Sequence, residues 1–369
     1  MEKEVIVALV AAFAALITAA ISTWLSFRTE RLRQNHESHM NSVKSRQERE
    51  LAEWKGAFDT NLKNLESDLT ELQAARNARR DYEYEARKRL YAEVEPVLFQ
   101  LMELSEGALY RIYSIARTAR DGDLDPASKS WLGSDQSYYF RSTIYYLFVP
   151  MAAIKLLQRR ITFVDLALET RMNAKYALAK RLLKTFTDDF EVATLEPALP
   201  YSPNADNADA MREKEPAKYC RQGVFIGHIE NVVEAMIHDG GTTGSSRIKS
   251  FGEIETDWWD KNSSLAKSLP RIIRLLLNFH PARRPVLWRI LIVQAHLYDA
   301  LVKMRENKLH GDTTPEKPLR ILPKEAQQKL DWRNPQKKEV TDKELVVPFA
   351  VAQRYFERHL GELFQPETS

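Results

Sequence analysis

Residues Val5 to Phe27 run for 23 positions without a charged side chain, and Arg28 ends the run. As a helix rising about 1.5 Å per residue, this segment spans roughly 34 Å, enough to cross a bilayer core with some tilt. The alternative is a secretory signal peptide cleaved near Ala19-Ala20. Against it stand the acidic start Met-Glu-Lys-Glu and an apolar run longer than the roughly 7–15 residues of a signal h-region. A retained anchor is expected. Arg28, Arg31 and Arg33 follow the run, whereas Lys3 alone precedes it. The positive-inside bias then puts residues 1–4 outside and the rest in the cytoplasm, as a single-pass protein of the cell inner membrane.

Composition agrees with that compartment. The single cysteine, Cys220, excludes an intramolecular disulfide framework. With 54 Lys+Arg against 51 Asp+Glu, the net charge of +3 does not by itself announce nucleic-acid binding. Only 12 glycines occur in 369 residues, while Ala, Leu, Glu and Arg abound. That balance predicts an all-α chain.

From Arg28 to Glu95 the chain has no proline and one glycine, Gly56, amid dense mixed charge. Its sparse apolar positions are ordered. Leu32, His36, Met40, Val43, Gln47, Leu51, Trp54, Phe58, Leu62 and Leu65 step by 4-4-3-4-4-3-4-4-3. This 11-residue repeat favours a straight or right-handed bundle. From Phe58 the alternating spacing of a heptad takes over through Leu69 and Leu72, and the seam then meets Arg76, Arg79 and Glu83 before Ala86 and Leu90. Residues 28–95 read as a coiled-coil-like stalk that self-associates, and the bulk of Trp54 and Phe58 leans towards more than two chains. The rival is a helix that buries its stripe on the distal domain. In the anchor, Ala8, Ala12, Ala15, Ala19, Ser22 and Ser26 form a small-residue stripe, and Thr18, Ser22 and Ser26 are the candidate pore-lining residues. A dry, packed anchor is the alternative to a conducting one.

Residues 96–369 read as a cytoplasmic helical sensor or adaptor domain. Helices are expected over Val97–Arg120, Ser137–Arg160, Phe163–Asp188, Phe225–Ile237, Pro285–Arg305 and Pro348–Phe364. The uncharged stretch Ser142–Ile154 contains Pro150 and is too short to span a bilayer, so it reads as buried and kinked. Loops are expected at 121–126, 193–222, 239–246 and 308–347, where Pro, Gly, Asn and Asp gather. The 239–246 loop lacks the Gly-Lys-Ser/Thr ending of a phosphate loop.

No catalytic signature is found, and neither a cofactor nor a metal is expected. The eight histidines show no zinc-site spacing, and His228-Ile-Glu230 lacks the paired cysteines of a zinc deaminase. Asp188-Asp189 is read as facing water. Basic clusters carry more weight: Arg271, Arg274, Arg283 and Arg284, with His280 and Trp288, suit phosphates and stacked bases, or simply a solvated helix end. Arg159-Arg160 and Arg87-Lys88-Arg89 are further clusters. On the Pro285–Arg305 helix, Arg289, His296, Asp299 and Lys303 share a face. They form either a polar pocket, with Arg289 and His296 as ligand candidates, or an ionic row orienting neighbouring helices.

The order of parts (Val5–Phe27, Leu32–Leu90, Pro96–Phe364) and the basic patches resemble the membrane effectors of bacterial phage-defence systems, those of the Hailong type in particular. The resemblance implies an oligomeric channel-forming protein kept inactive by single-stranded DNA oligomers from a partner nucleotidyltransferase. It matches no diagnostic motif, so no family site residues are carried over. The expected partners are the bilayer, further copies of the chain, a single-stranded oligonucleotide or nucleotide, and a ligand-producing enzyme. A non-conducting, membrane-tethered scaffold that recruits a protein is the alternative.

Overall fold

The structure is a computed structural model that describes residues 2–125, 130–161, 169–202, 219–240, 246–306, 322–334, 336 and 340–361. It is all-helical apart from two ladders of two-residue strands. By packing, the chain divides into Met1–Tyr82 and Glu83–Ser369.

The first unit is one helix. α1 (Glu2–Glu93) contains no proline and is laced by i,i+4 pairs such as Arg33–Glu37 and Arg46–Glu50. Every side chain from 3 to 82 is exposed, including the apolar run and the leucine seam. Three helices are long and apolar enough to cross a membrane among the described residues, but two of them bury 83% of their apolar window. Only the N-terminal one leaves that surface open.

Pro96 was expected to separate stalk from domain. The packing boundary falls earlier, because Leu90 and Val94 are already fully buried. Val94 keeps a helical conformation and its N–H donates to the Leu90 carbonyl (2.9 Å), leading straight into α2 (Glu95–Arg120). Pro96 sits in the first turn of α2, the helix position that best accommodates a residue without an N–H. After the turn at Gly122 (φ 88°), α3 (Tyr138–Ile161) carries Pro150 within its buried face. α4 (Thr170–Thr185) and α5 (Asp189–Thr194) follow, then β1 (Tyr201–Ser202) and β2 (Tyr219–Cys220), paired in parallel. α6 (Ile226–Ala235) precedes the antiparallel pair β3 (Ile237–His238) and β4 (Arg247–Ile248). Next come α7 (Phe251–Trp259), α8 (Ser264–Ser268), α9 (Pro270–Leu276), α10 (Pro285–Glu306), α11 (Lys324–Lys329) and α12 (Asp342–Leu360).

α10 is the centre of the second unit. It is apolar nearly all round and packs on α2, α4, α5 and α12, while α3 packs on α2, α4, α6 and α7.

Several expectations are corrected. The 193–222 loop contains the end of α5 and both strands of one ladder, and 239–246 lies between β3 and β4. Residues 308–347 include α11 and the start of α12. The last helix begins six residues before Pro348. A capping box decides this: Glu344 N–H donates to the Thr341 hydroxyl (3.2 Å) and Thr341 N–H donates to the Glu344 carboxylate (2.8 Å). A second box, Ser250 with Glu253, starts α7. The expected helix start at 163–168, and the loop portions 203–218, 241–245 and 307–321, lie outside the described residues, as does the tail 362–369.

Candidate functional site

In residues 5–27 the hydroxyls of Thr18, Ser22 and Ser26 recur every fourth position along one line. Thr18 donates to the Ala14 carbonyl (2.6 Å), Ser22 to Ala19 (3.0 Å) and Ser26 to Thr23 (2.9 Å). Each donor is satisfied inside its own helix, so an apolar surrounding leaves none orphaned. Their remaining lone pairs make the line weakly polar. At the end of the run the Arg28 guanidinium lies over the Trp24 ring, 5.2 Å from its centroid, a pairing suited to a membrane–water boundary.

The arginine cluster is sorted by the fold into two kinds. Arg271 and Arg274 on α9, and Arg283 in the turn before α10, are exposed, with no acidic partner among the described residues. Arg284 is buried and donates to the carbonyls of Arg274 (2.7 Å) and Leu275, closing the C-terminal end of α9. That bond ties the start of α10 to the end of α9. As a ligand contact, Arg284 is corrected to a helix cap. Trp288 and His280 are likewise buried, Trp288 in an aromatic cluster with Trp332. Another chain segment reaches this turn. Trp131 is half-exposed, and its neighbour Leu132 accepts a bond from Asn278 N–H (2.9 Å). No spacing in the sequence links Trp131 to an arginine some 140–150 positions on. The clusters at 87–89 and 159–160 include paired members: Arg87 meets Glu169 (3.8 Å), and Arg159 meets Asp239 (2.9 Å) and Glu234.

The polar row on α10 ties that helix to its surroundings. Lys303 pairs with Asp299 (2.6 Å). Arg289 donates to the carbonyls of Val192, Ala193, Leu195 and Pro197 at 2.6–3.4 Å. His296 Nδ1 bonds to the Ile292 carbonyl (3.2 Å), and its Nε2 accepts from Leu322 N–H (3.4 Å). Both candidates are buried and engaged with backbone, so the ionic or polar tie describes them better than an open pocket.

Burial pushes the His296 imidazole down to about 4, because the charged ring would lose water, and the Lys303 charge adds to the fall. Between about pH 6.5 and 4 the unfolded chain binds a proton there that the folded chain does not. Stability therefore rises with pH across that window and is complete above it. Urea midpoints measured from pH 7.5 to 4.5 are expected to fall, and to fall less in His296→Gln.

Asp188 and Asp189 do not face water. Asp188 accepts from the Tyr355 hydroxyl (2.6 Å) and lies 3.8 Å from Arg181, while Asp189 is buried against the Tyr201 hydroxyl. Burial first, then these carboxylates, push both phenols well above the ordinary tyrosine range. Asp188, Glu191 and His359 also bring three ligand-type atoms within 4.8 Å of one another. A divalent cation could be held by such donors, but Arg181 and Arg358 already balance the carboxylates, and His359 Nε2 bonds Glu191 at 2.7 Å. The group acts as an ionic tie between α5 and α12. Its members lie 168 positions apart in sequence, and nothing in their spacing joins them. Compared with protein-family models, curated proteins and solved structures, the chain finds no match.

Proposed function

We propose that the protein is an oligomeric single-pass membrane effector, channel-forming or membrane-permeabilising, controlled by a nucleic-acid or nucleotide ligand on its cytoplasmic helical domain. One observation carries the membrane part: residues 5–27 form a helix whose apolar side chains are all exposed. A surface of that kind belongs in lipid. Ten large apolar side chains of the stalk row, from Leu32 to Leu72, are also exposed, each worth about 1.5–3 kcal/mol on full burial. Self-association is the direct way to cover them. The ligand part is supported by Arg271, Arg274 and Arg283, exposed without acidic partners among the described residues. The setting in phage defence, with a ligand-making partner enzyme, rests on the resemblance of layout.

A second reading is favoured by Phe225 and Trp259, large apolar groups exposed on the second unit. It is the non-conducting tether that recruits a protein. The substitution Ala15→Leu/Ala19→Leu/Ser22→Leu separates the two. Ion flux from liposomes carrying the full chain, with and without a single-stranded oligonucleotide, is expected to respond to the oligonucleotide. The triple variant should lose flux while still sedimenting with membranes. Absence of flux in the unaltered protein under both conditions leaves the tether.

A further inference from the structure

One row of residues, stepping by three and four, runs from the stalk into the core of the second unit. Leu62, Leu65, Leu69 and Leu72 are 45–59% exposed. Continuing at the same spacing past Arg76, Arg79, Glu83 and Ala86, the row reaches Leu90, Val94, Val97 and Leu101, which are 0–5% exposed. The helical path between them is unbroken through Val94. From Leu90 onward this face is occupied by the chain's own core, where α2 packs on α3 and α10. A face can be buried only once. Whatever covers the row over 32–72 must therefore leave it before Leu90.

We infer that residues 32–72 pair with the same residues of further copies of this chain, parallel and in register, and that the copies part between Leu72 and Leu90. The parallel sense rests on the membrane reading above, since chains anchored by the same end in one bilayer run the same way. The occupant is a copy of the chain because the row changes period. Its 11-residue repeat gives way to a 7-residue repeat near Phe58, beside the stacked Trp54–Phe58 pair (5.5 Å). Strands of different period drift out of phase, and a further copy in register changes period at the same height by construction. Charge agrees with this register. The flanking positions that meet across a parallel heptad seam join Asn61 to Glu66 and Asp68 to Gln73, so no like charges face each other there. Arg76, Arg79 and Glu83 then occupy seam positions, where charge weakens pairing, and they mark the exit.

Single cysteines test this in the full chain in its membrane, on a Cys220→Ser background, with untouched Cys220 as a parallel control because that thiol is buried. Under mild oxidation Leu62→Cys and Leu69→Cys are each expected to form disulfide-linked dimers. Ser67→Cys on the opposite face and Arg79→Cys at the exit should react about 10-fold more slowly. Two row positions seven residues apart can both meet themselves only in a parallel register. Equal rates at Ser67 and Leu62, or no linkage at both leucines, would overturn the seam. Linkage at Arg79 as fast as at Leu69 would overturn the exit. Should Leu→Cys loosen the bundle, the mass of the unaltered protein in detergent decides: a monomer removes the proposal. Membrane fractionation of the same samples is scored separately, so loss of the seam and loss of the membrane reading are distinguishable.

Discussion

Replacing Arg289 by Met is expected to lower the unfolding free energy by about 3–5 kcal/mol. Arg289 is 2% exposed, and its guanidinium donates to the carbonyls of Val192, Ala193, Leu195 and Pro197. Those carbonyls belong to the last turn of α5 and the turn beyond it, and that of Ala193 also accepts the Leu199 N–H (2.8 Å). A six-residue helix cannot hold itself in water, so its C-terminal groups depend on a partner from outside. The partial negative charge at a helix C-terminus also offsets the desolvation of the guanidinium. Met fills similar space but donates nothing, leaving the Val192 carbonyl buried without that donor and the Leu195 and Pro197 carbonyls to find water. Arg289→Lys is expected to recover only part of the loss, because an ammonium lacks the planar fork. Against a typical total of about 5–15 kcal/mol, this loss approaches global unfolding. Denaturation of the full chain in detergent, followed by fluorescence of buried Trp288 and Trp332, measures it. On a Trp24→Phe/Trp54→Phe background the signal comes from the second unit alone, whereas the helix of α1 would dominate a far-UV signal. A cost below about 1 kcal/mol would show that α5 is held by other contacts.

Phe148→Ala should cost about 3–5 kcal/mol. Phe148 is fully buried on α3, and its ring stacks on Phe186 at the end of α4 (5.1 Å, interplanar angle 18°). The site cannot easily collapse onto the void. The neighbouring Leu147 carbonyl accepts the hydroxyl of fully buried Tyr298 on α10 (3.3 Å), which holds α3 at its distance from α10. Phe148→Leu keeps most of the volume and should cost less than about 2 kcal/mol. Equal, small losses for both variants would mean the aromatic pair is loosely packed.

Local order was the most legible part. The periodicity of Val97–Arg120 and Pro285–Arg305 located α2 and α10 to within about two residues. Thr341-Asp-Lys-Glu344 and Ser250-Phe-Gly-Glu253 were readable capping boxes that mark the starts of α12 and α7. Pro348 was given too much weight by comparison, and it lies inside a helix already begun. The exposed arginines at 271, 274 and 283 stayed available, whereas Arg284 and Arg289 became caps for helices. A guanidinium reads the same in sequence in either role, and only the position of other chain segments separates them.

Within one helix turn, neighbours along the chain decide. The unbroken apolar run, the changing period of the stalk and the all-helical class were thus settled by sequence, because side chains three and four apart share a face whatever lies around them. Tertiary structure alone decided which part of the long row is buried, that Asp188 and Asp189 turn inward to Tyr355 and Tyr201, and that His359 meets Glu191. These contacts join positions 12 to 168 residues apart, and burial fixes them through desolvation and packing, which no spacing along the chain records.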